Sequence, residues 1–169
     1  MLMKLTEAEI EKRVAAGQER KKRIDELRLA VLEGHLIMEE QLDAFIEACV
    51  FHPDQLNHVN MNFHTKGHLA VSLGLKRDKD EMWAVVWAIN QLRNEMAHNL
   101  DSKKIDEKMK FLRKTYIDAL EPKPAAHAKT QSDKEIVEWA CGVCAGFLGQ
   151  LISEANTRRG IIDQHWQGP

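Results

Sequence analysis

Apolar residues recur at steps of three and four along most of the chain, the spacing that places side chains on one face of an α-helix. The longest such stripe begins at Ile24 and has one gap near Gly34. Its members are Ile24, Leu27, Val31, Met38, Leu42, Phe45 and Cys49. We predict one long helix that ends at FHPD, because Pro53 disfavours helical geometry at His52.

The residues before this stripe are mostly charged. Thr6 and Glu9 have the spacing of a capping box, which predicts the start of an N-terminal helix. Gly17 is the expected break between that helix and the long one. Since this segment has few apolar side chains, we expect residues 1–20 to form a loosely attached arm.

Four further helices are indicated downstream. A short one lies in NFHTKGHLAVSLGL and is expected to end at Gly74. The next, capped by Asp78 or Asp80, carries the stripe Met82, Val85, Val86, Ile89, Leu92 and Met96. The third carries Ile105, Met109, Leu112, Tyr116 and Leu120. The last, opened by a Ser132 and Glu135 capping box, carries Ile136, Trp139, Ala140, Val143, Phe147, Leu151 and Ile152.

No stretch alternates as a strand would, so the predicted fold is an all-α bundle of about five or six helices. At 169 residues the chain suits one domain, 1–169. EPKPAAHAKTQ, residues 121–131, has two prolines and no periodicity and reads as a connector. Residues 160–169 show no obvious element and are expected to be a flexible tail.

Composition narrows the possible partners. The chain is 44% hydrophobic and 30% charged, with a formal net charge of -2, so a nucleic acid would have to be held by a local basic patch. We expect no membrane span, because no apolar run approaches the roughly eighteen residues that one needs, and the N-terminus is charged where a signal peptide is apolar. We therefore expect a cytoplasmic protein with no membrane partner, whose three cysteines are reduced.

The stretch QLRNEMAHNLDSKK places polar residues on a helix that otherwise faces a core. Asn90, Asn94 and His98 are each four residues apart and share a face, and Arg93 borders the buried stripe. Asn has a low helix propensity, so the presence of both Asn90 and Asn94 on this helix indicates a role other than helix formation. Two interpretations stay open: a catalytic cluster, or an ordinary polar helix end with His98 favoured by the helix dipole.

RNEMAH, Arg93 to His98, resembles the Arg-x4-6-His signature of the HEPN superfamily, in the form with a polar residue after the arginine. The order of elements from Arg23 to Ile152 also resembles the mannitol operon repressor branch of that superfamily. The resemblance implies a HEPN-like up-and-down helical core and a homodimer. It further implies a metal-independent endoribonuclease, of a toxin or defence type, with one active site formed across two subunits and no cofactor.

In that reading three side chains are catalytic. His98 would move a proton near neutral pH, Arg93 would stabilise the phosphorane oxygens, and Asn94 would orient the phosphate or the imidazole. Superfamily toxins that are silenced by nucleotidyl modification carry a tyrosine shortly after the histidine, whereas this chain has Asn99 and Leu100. We therefore do not expect that route of silencing, although an antitoxin or other regulatory protein is a possible partner.

A basic segment follows the motif. DSKKIDEKMKFLRK holds six positive and three negative residues, a surplus of three, beside the proposed site. The predicted RNA-binding residues are Lys103, Lys104, Lys108 and Lys110. The alternative is a solvated helix face, which is the usual outcome for such a run of charges.

Two pairs with metal-ligand spacing are judged structural. Cys141 and Cys144 lie in an apolar helix without a second pair, and His64 and His68 lack a third ligand, so we predict no metal. A second hypothesis stays open from the mannitol repressor resemblance, namely a non-catalytic helical module for regulation or protein interaction. In that case Arg93 and His98 would be buried partners.

Overall fold

The computed structural model describes residues 6–74, 80–98, 102–120 and 126–165, and this part of the chain is almost entirely helical. Its long elements are α1 (Glu7–Cys49), a 3-10 helix (Pro53–His58), α2 (Phe63–Leu73), α3 (Asp80–His98), α4 (Ser102–Ala119) and α5 (Asp133–His165). The described ranges contain no strand. The predicted all-α helical bundle is confirmed.

Helix α1 begins where the capping box predicts and ends at Cys49, before Pro53. The Thr6 hydroxyl accepts from the backbone N–H of Glu9, whose carboxylate accepts from the Thr6 backbone N–H. The predicted break at Gly17 is wrong, because α1 passes through it without interruption. One glycine costs a helix only about 1 kcal/mol, which neighbouring turns can offset.

The first half of α1 is an exposed arm. Every residue from 7 to 23 is exposed, whereas burial begins around Leu27. Near the end of this arm, Arg23 donates to the Asp106 carboxylate of α4 at 3.3 Å. Residues 7–23 are therefore an exposed extension of the long helix α1, and residues 1–5 lie outside the described ranges.

Helices α1 and α5 lie side by side and run in the same direction. Gly34 faces Cys141, and further along both helices Arg159 donates to the backbone carbonyl of Val50 at 2.9 Å. A side chain at position 34 would collide with the Cys141 side chain. The gap in the α1 stripe is thus a point of close helix approach.

Helices α3 and α4 complete the core with the residues that their stripes predict. Val85, Val86, Ile89 and Leu92 of α3 are fully buried. On α4, Ile105, Met109, Leu112 and Tyr116 are buried as well. Of the two proposed caps, Asp78 lies outside the described ranges, and Asp80 is the first described residue of α3.

Helix α5 differs from the sequence prediction in three ways. It continues to His165, so residues 160–165 are helical, and Trp139 is 56% exposed although its spacing predicts burial. The helix also contains an apolar window with mean hydropathy 1.5, long enough to cross a membrane by length and composition alone. The prediction that no run reaches that length is wrong, because the mean hydropathy of this window stays high although it includes small residues such as Gly142. A helix packed on a core meets the same criterion, and 39% of this window is buried.

Candidate functional site

A polar cleft lies between α1, α2 and α3, with a volume of about 370 Å³. It is lined by His35, Glu39, Asn62, Phe63, His64, Asn90, Arg93 and Asn94. Two of the three predicted catalytic residues, Arg93 and Asn94, are among them. The cleft therefore brings together two of the predicted site residues.

Helix α3 presents Arg93 and Asn94 from the edge of its buried face. The neighbouring residue Leu92 is fully buried, Arg93 is half-buried and Asn94 is exposed. Arg93 Nη1 donates to Asn94 Oδ1 at 3.2 Å, while Arg93 Nε is enclosed and has no hydrogen-bond partner in the described part of the chain. Leu92 thus anchors α3 to the core. The Arg93 guanidinium reaches the cleft, where the Asn94 side chain orients it.

His35 and Asn90 form a buried pair at this cleft. They are 5% and 8% exposed, and His35 Nε2 lies 3.2 Å from Asn90 Oδ1. Because Oδ1 can only accept, Nε2 carries the proton and donates. Burial lowers the pKa of His35, and the charge of Arg93 lowers it further, against the opposing effects of Asn90 and Glu39. His35 is therefore a neutral structural imidazole near neutral pH.

Lys66 of α2 connects two carboxylates of α1 beside the cleft. Its ammonium donates to Asp43 at 2.7 Å and to Glu39 at 3.0 Å, and its side chain is 14% exposed. Burial disfavours the charged form, but the hydrogen bonds and charges of the two carboxylates outweigh it and raise the pKa of Lys66. Lys66 thus offsets only one of the two negative charges of Glu39 and Asp43, and Arg93 is the cation that lines the cleft, with no carboxylate bound to it among the described contacts.

His98 stands apart from this cleft. It is exposed in the last turn of α3 and does not line the cavity. Five helical positions separate it from Arg93, which turns their directions roughly 140° apart. A single subunit therefore does not bring the two residues together, and a shared site needs a second subunit.

The four predicted RNA-binding lysines occupy two sides of α4. Lys104 and Lys108 are four residues apart on the flank next to α3, where Lys108 donates to Gln91 at 3.0 Å. Lys103 and Lys110 are seven apart on another side, and both are exposed. Only the Lys104 and Lys108 flank adjoins the exposed surface of α3.

Sequence reasoning missed His35 and Glu39 as parts of this cleft. A signal was present, because His35 is the only ionisable residue at a buried position of the α1 stripe, and Glu39 follows it by one turn. Buried polar residues pair with one another, so His35 could have been matched with an unexplained helical asparagine such as Asn90.

The cysteine pair behaves as predicted. Cys141 and Cys144 are both buried, and burial raises the pKa of Cys141 to about 12 and also raises that of Cys144. Thiols held protonated in this way are poor nucleophiles and poor metal ligands. Within the described ranges, no three histidine, cysteine or carboxylate side chains gather as a metal-binding group.

We compared the chain with protein-family models, with curated proteins and with solved structures, and no match was found.

Removing the buried partner of His35 should destabilise the fold. We expect Asn90→Ala to lower the free energy of unfolding by roughly 1–3 kcal/mol, because the His35 donor is left buried without an acceptor. Asn94→Ala, on the exposed side of the same helix, should change it by less than about 0.5 kcal/mol. Urea denaturation of both variants measures the difference, and equal losses would contradict the assigned roles.

Proposed function

We propose that this protein is a metal-independent endoribonuclease whose active site forms between two copies of the chain. The observation that carries the proposal is the arrangement of α3, which presents Arg93 and Asn94 at a polar cleft and His98 at its exposed end. Helix α3 thus presents the guanidinium of Arg93, the amide of Asn94 and the imidazole of His98, although its other face packs into the core. The resemblance of RNEMAH to the HEPN signature supports the same reading.

The proposed reaction is transesterification within RNA. His98 accepts the proton of a ribose 2′-hydroxyl, and the 2′-oxygen attacks the adjacent phosphorus. The bond from phosphorus to the 5′-oxygen breaks, that oxygen takes up a proton from solvent while His98 releases the one it accepted, and the products carry a 2′,3′-cyclic phosphate and a 5′-hydroxyl. Arg93 stabilises the charge that develops on the phosphorane oxygens, and Asn94 holds the guanidinium that does so.

The dimer is part of the proposal because one subunit keeps Arg93 and His98 apart. Pairing two α3 helices through their exposed sides would bring His98 of one copy towards the cleft of the other. On such a dimer, Lys104 and Lys108 flank the α3 surface and supply phosphate contacts for an RNA strand. The proposed protein acts in the cytoplasm without a cofactor, and an antitoxin or other regulatory protein is a further proposed partner.

A second candidate is a non-catalytic regulatory or interaction module. One observation favours it: Arg93 Nε is enclosed, and the side chain lies in the same cleft wall as the buried His35 and Asn90 pair. In such a module Arg93 would hold the three helices together. The two functions differ in what Arg93 contributes to folding.

Arg93→Ala separates these two functions. If the protein is a nuclease, we expect Arg93→Ala to lower the rate of RNA cleavage by about 10²- to 10³-fold, the loss typical of removing one hydrogen-bond donor to the transition state. The melting temperature of the variant should stay close to that of the wild type. Asn90→Ala provides the reference for a broken buried contact on the same helix. If the wild type cleaves no RNA and Arg93→Ala melts at a temperature as low as that of Asn90→Ala, the results support the non-catalytic module instead.

A further inference from the structure

Two histidines on the outer surface of α2 point their ring nitrogens at each other. His64 and His68 are one helical turn apart and both are exposed. The distance between their Nε2 atoms is 3.2 Å, and the ring centroids lie 4.4 Å apart. Without a metal, one Nε2–H can donate to the other nitrogen.

That distance also matches the edge of a metal coordination shell. Nitrogens at about 2.0–2.1 Å from a tetrahedral zinc ion lie about 3.3–3.4 Å from each other. The 3.2 Å separation falls within roughly 0.2 Å of this edge. The distance between the two Nε2 atoms therefore already suits two ligands of one ion.

The rings are held in this position by a tryptophan of α3. His68 stacks on Trp87 with centroids 4.8 Å apart, and His64 lies 5.5 Å from the same ring. Gly67, between the two histidines in sequence, lets α2 approach so closely that a β-carbon there would collide with the Trp87 ring. This packing restricts both imidazoles before any ligand arrives, which lowers the entropy cost of binding.

We propose that His64 and His68 bind one divalent transition-metal ion per chain through their Nε2 atoms. Imidazole suits Zn²⁺, Ni²⁺ and Cu²⁺, and water fills the remaining positions because no third protein ligand joins the pair within the described ranges. From the sequence we expected no metal, because no third ligand follows the pair at suitable spacing. His64 also lines the cleft that contains Arg93 and Asn94, but metal binding by the pair is measured without RNA and does not rest on the proposed cleavage reaction.

The test is a titration of zinc chloride into metal-free wild-type protein, followed by calorimetry and by competition with a colorimetric zinc indicator. We expect one zinc ion per chain, and at least about tenfold weaker binding for His68→Ala, because half of the protein ligands are removed. His58→Ala, which removes an exposed histidine of the neighbouring 3-10 helix, should bind as wild type does.

Thermal melting of the three proteins shows whether each is folded before the titration. Zinc binding that is equal in wild type and His68→Ala would overturn the proposal, as would a wild type that binds no zinc at millimolar concentration. Should His68→Ala fail to fold, His64→Ala replaces it, because it removes the other ligand from an equally exposed position.

Discussion

Replacing His98 by alanine is expected to lower the rate of RNA cleavage by about 10²- to 10⁴-fold, the contribution typical of a general base. The side chain is exposed at the end of α3, so its loss removes no core contact. We therefore expect the free energy of unfolding to change by less than about 0.5 kcal/mol. The measurement is the initial rate on labelled RNA, with a thermal melt of each protein.

The matched control is His165→Ala, which removes an exposed histidine from the last turn of another helix, α5. It should leave both rate and melting temperature unchanged. If His98→Ala cleaved RNA as fast as His165→Ala, the proton transfer would belong to another residue. If it melted well below that control, His98 would have a structural role instead.

Replacing Leu42 by alanine should give the largest loss of stability. Leu42 is fully buried on the face of α1 that packs into the bundle, and removing a buried leucine side chain typically costs about 2–5 kcal/mol. Leu36 lies on the opposite face of the same helix and is 60% exposed. The identical substitution there should cost less than about 0.5 kcal/mol.

Urea denaturation of the two leucine variants tests the orientation of α1. Helix propensity cannot explain a difference between them, because both carry the same change in the same helix. Equal losses for Leu42→Ala and Leu36→Ala would mean that Leu36 is covered in solution, for example by a second copy of the chain.

The helices could be predicted from the sequence because the buried face of each helix requires apolar residues at steps of three and four. Val31, Met38, Leu42 and Phe45 share the spacing of a buried helix face, and the structure buries all four. Helix starts were predictable for a second reason, since capping boxes act within four residues. The continuity of α1 through Gly17 was not predictable in this way, because the neighbouring turns of a 43-residue helix offset the cost of one glycine.

The candidate site was only half predictable. Arg93 and Asn94 could be selected from one helix, but His35 and Glu39, which line the same cleft, come from a helix more than fifty residues earlier. Helical spacing reports neighbours on the same helix and says nothing about which helices meet. Trp139 shows the same limit, since its spacing suits a core position and no neighbouring helix covers it among the described residues.

The proposed function is tested most directly by incubating wild-type protein with labelled RNA in the presence of EDTA, and by identifying the ends of the products. A metal-independent transesterification predicts fragments with a 2′,3′-cyclic phosphate and a 5′-hydroxyl, and no cut where the 2′-hydroxyl is replaced by hydrogen. RNA that stays intact at every protein concentration, or that is cut equally well at a 2′-deoxy position, would contradict the proposed reaction.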